Sequence, residues 1–218
     1  MNLTLKESLV TRSRVFSPWT AFYFLQSLLI NLGLGYPFSL LYTAAFTAIL
    51  LLLWRTLPRV QKVLVGISSL VAACYFPFAQ AYGAPNFNTL LALHSTNMEE
   101  STEILTIFPW YSYLVGIFIF ALGVIAIRRK KESEKARWNT FDSLCLVFSV
   151  ATFFVAPVQN LAWGGVFKLK DTGYPVFRFA KDVIVNNNEV IEEQERMAKL
   201  SGMKDTWTVT AVKPKYQT

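Results

Sequence analysis

Apolar positions in this chain come in long unbroken blocks separated by short polar segments. Five blocks approach the ~20 residues an α-helix needs to cross a bilayer: roughly 18–34, 37–54, 63–78, 109–127 and 141–158. The pattern predicts an all-α membrane fold, with five transmembrane helices over residues 1–158 and an extramembrane tail over 159–218. The third block is the weakest, because Ser68, Ser69 and Cys74 interrupt it. The first two are separated only by Gly35 and Tyr36, which predicts a tight helical hairpin. Trp19, Trp54, Tyr75, Trp110, Tyr111 and Trp138 stand near block ends, where amphipathic rings favour the headgroup zone.

The tail has a different pattern. Residues 159–174 read as irregular. Residues 175–185 predict a short amphipathic helix, with Val176, Phe177, Phe179 and Ile184 set against Arg178, Lys181 and Asp182. Asn186, Asn187 and Asn188 read as a break, with Asn188 capping a second helix over 189–200. Acids lead and bases trail in that second helix, as its dipole favours, and Gly202 ends it. Residues 206–218 alternate and are rich in β-branched side chains, so they read as a short strand-like linker.

Composition agrees with a membrane protein. Apolar residues make up 53% of the chain and charged ones 16%, less charge than soluble domains carry. The net charge is +7, and its distribution is more informative than its sum. Lys6, Arg12 and Arg14 precede the first block, Arg55, Arg59 and Lys62 follow the second, and Arg128, Arg129, Lys130, Lys131, Lys135 and Arg137 follow the fourth. Loops 35–36 and 79–108 contain neither Lys nor Arg. By the positive-inside rule the N-terminus is cytoplasmic, and loop 79–108 and the tail lie on the other side. Basic residues split among three loops flanking membrane spans fit anionic lipid and not nucleic acid. No cleavable signal peptide is evident at the polar, basic N-terminus. Cys74 and Cys145 both fall inside blocks, which predicts free thiols. The single histidine, His94, has no His/Cys cluster around it, so the sequence offers no metal site, and His94 reads as a hydrogen-bonded interface residue.

Loop 79–108 carries the candidate chemistry. Glu99, Glu100 and Glu103 fall within five residues, with no nearby Lys or Arg. Asn88, Ala92, Thr96 and Glu100 are spaced by four and would form one stripe on a helix. A carboxylate on that stripe can hold an ammonium group, and a hydroxyl or amide can hydrogen-bond a phosphate ester. The phosphatidylethanolamine headgroup has both. A purely structural reading also stands: Thr96 and Glu99 fit a capping box, Asn86 fits an N-cap, and Tyr82-Gly83 with Pro85 fits turn chemistry.

Taken together, the five blocks, the acidic outer loop and the helical tail resemble the phosphoethanolamine transferases of Gram-negative inner membranes. Their headgroup-binding segment has a Tyr-Gly after span three and then an Asn-x-x-x-Thr-x-x-x-Glu pattern. Tyr82-Gly83, Thr96 and Glu100 match it, and Ala92 stands where the family has Asn. Asn88, one turn earlier, could supply the missing amide. The resemblance implies a phosphatidylethanolamine donor bound by Glu100, Thr96, Asn88 and Tyr82. It extends to the transferases of osmoregulated periplasmic glucans, which implies a glucan acceptor. It also implies a monomer in the bacterial inner membrane, and a separate periplasmic domain carrying zinc and a nucleophilic threonine. The chain itself would then hold no catalytic residue and be inactive alone. A non-catalytic lipid-binding anchor or scaffold is the competing reading. A transporter ranks last, since the blocks hold almost no charge beyond Asp142, near a block end.

Overall fold

A computed structural model describes residues 18–95, 106–129, 138, 140–163 and 172–202. Seven helices run through these residues: α1 (Pro18–Gly33), α2 (Leu40–Thr56), α3 (Pro58–Tyr82), α4 (Phe87–Ser95), α5 (Trp110–Arg128), α6 (Thr140–Ala162) and α7 (Pro175–Gly202). No strand occurs among the described residues, and the strand-like segment 206–218 lies outside them. Helices α1, α2, α3, α5 and α6 form a bundle, and α4 and α7 pack against each other at one end of it.

Among the described residues three helices, not five, are long and apolar enough to cross a membrane: α3, α5 and α6. Helix α2 is apolar but has 17 residues, and α1 has 16, or about 24 Å at 1.5 Å per residue. The expected two-residue hairpin between them is a longer connection. Gly35 turns at φ +80°, and Ser39 is still extended at φ −134° before α2 begins at Leu40. Pro37 thus lies in the connection and does not open the helix. The block expected to be weakest gives the longest of the five bundle helices, because Ser68 returns its hydroxyl to the Leu64 carbonyl and Ser69 accepts from Gln26.

The bundle is apolar outside and partly polar inside. Ile67, Leu114, Ile117, Phe118 and Val147 are exposed, whereas Gln26, Ser27, Asn31, Thr43, Thr47, Gln61 and Ser69 are buried. This inverts the pattern of a water-soluble domain and fits a bundle surrounded by lipid. Inside, Asn31 Nδ2 donates to Thr43 Oγ1 at 3.0 Å, Thr47 Oγ1 to Ser27 Oγ at 3.2 Å and Gln61 Nε2 to the Tyr23 hydroxyl at 3.3 Å. Such interhelical bonds contribute roughly 0.6 kcal/mol each in membranes. Small residues let the backbones close in. A methyl on Gly116 would come within 2.6 Å of the Ala73 carbonyl oxygen, and one on Gly123 equally close to Ser69 Cβ.

The basic end of the bundle is tied by two cations. Arg55 Nη1 lies 2.7 Å from Asp142 Oδ1, linking α2 to α6. Arg129 lies between two indoles, its guanidinium carbon 4.1 Å from the Trp19 ring centroid and 4.2 Å from that of Trp54. Both arginines, part of the basic loops that orient the chain in the sequence reading, also join helices. Asp142→Ala leaves Arg55 largely covered without its carboxylate and is expected to lower stability by about 3 kcal/mol. Thermal unfolding of the intact protein in detergent checks this, and an unchanged Tm would show that the pair contributes nothing.

Candidate functional site

The opposite end of the bundle is built around α7. The sequence predicts two helices separated at Asn186–188, yet α7 is one helix of 28 residues. The asparagines do not break it because they dock it. Asn186 Nδ2 donates to the Asp182 and Pro85 carbonyls at 2.6 and 3.4 Å. Asn187 Oδ1 accepts from His94 Nε2 at 2.8 Å, which makes His94 the α4–α7 interface residue expected of it. Further toward the start of α7, Tyr36 donates its hydroxyl to Asp182 Oδ2 at 2.7 Å. Arg178 Nε lies 3.6 Å from the same oxygen, and its guanidinium sits 4.9 Å from the Tyr36 ring centroid. Tyr174, just before α7, donates to the Ser149 carbonyl of α6 at 2.8 Å.

The turn that leads to α4 follows its sequence. Gly83 caps α3 at φ +74°, a conformation open to glycine, and its carbonyl accepts from Tyr75 at 2.9 Å. Asn86 Oδ1 accepts the Thr89 amide at 3.0 Å, so Asn86 is the N-cap of α4 that the sequence suggests.

Between α3, α4 and Phe179 of α7 lies a cavity of about 620 Å³. Leu70, Val71, Cys74, Tyr75 and Phe78 of α3 and Leu90, Ala92 and Leu93 of α4 give it mostly apolar walls. Its polar groups come from Tyr82, Asn86, Asn88 and Thr89. The Phe179 and Tyr75 rings meet edge-to-face at 4.9 Å, which closes the wall on the α7 side. An apolar cavity with a few polar groups gathered along one stretch of chain suits an amphipathic ligand.

Of the site residues expected from sequence, Tyr82 and Asn88 both line this cavity, and Ala92 lines it one turn beyond Asn88. Thr96 and Glu100 lie outside the described residues, as does the capping box at Thr96. Helix α4 is described as far as Ser95, whose hydroxyl returns to the Leu91 and Ala92 carbonyls. Sequence reasoning missed Phe179 and the α3 wall, since no local spacing relates residue 179 to residues 70–93. Among the described residues no three His, Cys, Asp or Glu side chains gather. Cys74 and Cys145 are free thiols.

Docking of α7 carries a pH signature. Burial, then the Asp182 hydrogen bond and charge, push the Tyr36 phenol well above its ordinary value. Burial also pushes Tyr174 up to about 12, against the opposing effect of its bond to Ser149. Both pKa values are raised in the folded state, so the docking they support is complete below the unfolded value of about 10 and is lost as pH rises beyond it. Proteolysis of α7 in the intact protein is expected to be constant from neutral pH to about 10 and to accelerate above it. In Tyr36→Phe that acceleration should weaken.

No family model matches the chain, and no solved structure matches it. Over all 218 residues it is 99% identical to the phosphoethanolamine transferase OpgE of Escherichia coli strain K12, and it spans 41% of that protein's length. Over its whole length, then, the chain is similar to part of a phosphoethanolamine transferase, the family that its loop resembles.

Proposed function

We propose that this chain is the membrane portion of an enzyme that moves phosphoethanolamine from phosphatidylethanolamine to a periplasmic glucan, and that it binds and positions the lipid donor. The observation that carries this reading is the cavity between α3, α4 and α7, apolar along most of its wall and polar at Tyr82, Asn86, Asn88 and Thr89. A two-chain lipid cannot leave the bilayer cheaply, since each methylene brought into water costs about 0.8 kcal/mol. A transferase must therefore meet its donor at the membrane surface.

On this reading an acyl chain lies against Leu70, Val71, Leu90 and Leu93, and the headgroup lies toward Asn88 and Tyr82. Glu100 pairs with its ammonium, and Thr96 contacts the phosphate oxygens. The contribution of these residues is orientation, holding the phosphorus in line for attack. The nucleophilic threonine and zinc belong to a further periplasmic domain, so the 218-residue chain is inactive alone. Residues 1–158 form the membrane domain and 159–218 the linker to that domain. The protein acts as a monomer in the inner membrane, with this end of the bundle facing the periplasm, as the basic residues at the other end favour.

Leu90→Trp fills the cavity and is expected to raise the KM for phosphatidylethanolamine roughly tenfold, with little change in kcat. Wild-type kinetics in that variant would place the donor elsewhere. Glu100→Ala in the intact protein should abolish or severely lower transfer while membrane insertion is unchanged. Full activity would return Glu100 to the role of a helix-start carboxylate.

A further inference from the structure

Along the inward faces of α1 and α3, three buried amide oxygens, Gln26 Oε1, Asn31 Oδ1 and Gln61 Oε1, have no hydrogen-bond partner among the described residues. In each the amide nitrogen donates to a neighbouring helix, Gln26 to Ser69, Asn31 to Thr43 and Gln61 to Tyr23. None of the three residues is more than 1% exposed. A fourth buried group, Arg129 Nη1, is a donor in the same position. Arg129 and Gln61 share one neighbour. The guanidinium carbon is 5.9 Å from the Tyr23 ring centroid, and Gln61 Nε2 is 3.3 Å from the Tyr23 hydroxyl.

An acceptor buried in a lipid-surrounded bundle with no donor is costly, and among the described residues three occur along α1 and α3. Three of the four unmet groups are acceptors, and the one donor, Arg129 Nη1, stands at one end. A neutral molecule that both donates and accepts, and is small enough to fit between packed helices, satisfies every group. A metal cation would satisfy the oxygens but would meet the Arg129 charge at the Gln61 end. We propose that the α1–α2–α3 seam binds ordered water. One water bridges Arg129 Nη1, Gln61 Oε1 and the Tyr23 hydroxyl, giving it the two to four polar partners a buried water requires. Others serve Gln26 and Asn31. The seam is separate from the cavity between α3, α4 and α7, since no residue lines both. It also gives α1 a reason for its composition. Helix α1 carries Gln26, Ser27 and Asn31 on the face where internal water can solvate them.

Water-edited solid-state NMR of the intact protein in lipid bilayers tests this directly. Magnetisation from water should reach the side-chain amides of Gln26, Asn31 and Gln61 about as fast as it reaches exposed Gln194, and several-fold faster than it reaches the methyl groups of fully buried Leu50. Transfer to the three amides as slow as to Leu50 would show a dry seam and overturn the proposal. A spectrum in which the amide shifts follow the sodium or potassium concentration would also overturn it, because the occupant would then be a cation.

Discussion

Everything at the candidate site depends on how closely α3 approaches its neighbours. Gly116 of α5 lies against the Ala73 carbonyl, Gly123 against Ser69, and Gly33 of α1 against Ala72. With lipid outside, no hydrophobic force drives these helices together, so close backbone contact and the hydrogen bonds it permits must do so. Helix α3 is thereby fixed on two sides by surfaces without side chains. Its remaining face is left to line the cavity with Leu70, Cys74 and Phe78.

The two ends of the bundle use different chemistry for the same purpose. At one end Arg55 pairs with Asp142, and Arg129 stacks between Trp19 and Trp54. At the other, Tyr36, Asp182 and Arg178 dock α7. A phenol and a carboxylate can sit together at 2.7 Å because the phenol remains protonated. The cavity inherits this dependence, since Phe179 lies on α7 three residues before Asp182.

The sequence reveals the helical membrane character and most helix positions, because apolar blocks of this length have few other uses. It also reveals the Asn86 cap and the Gly83 turn, which are local. The number of full spans was overestimated because hydropathy continues through 34–39, where a positive φ at Gly35 and an extended Ser39 stop the helix. The asparagine run misled for the opposite reason. Asn186 and Asn187 have poor helix propensity, but bonds to Pro85 and His94 outweigh it. Of the cavity lining, Tyr82, Asn88 and Ala92 were singled out in the sequence, while the wall from α3 and Phe179 depends on contacts between residues far apart in the chain.

The continuity of α7 has one further consequence. Its first half is clamped to the bundle and its second half, from about residue 191, is mostly exposed, so it behaves as a cantilever and not as a tether. A 28-residue helix is about 42 Å long at 1.5 Å per residue. The end of the helix at residue 202 is therefore held at both a distance and a rotational phase set by the clamp. One residue added within the exposed half would turn that phase by about 100°, whereas seven would nearly restore it. Length and angle are coupled in this element, as they are in a screw thread.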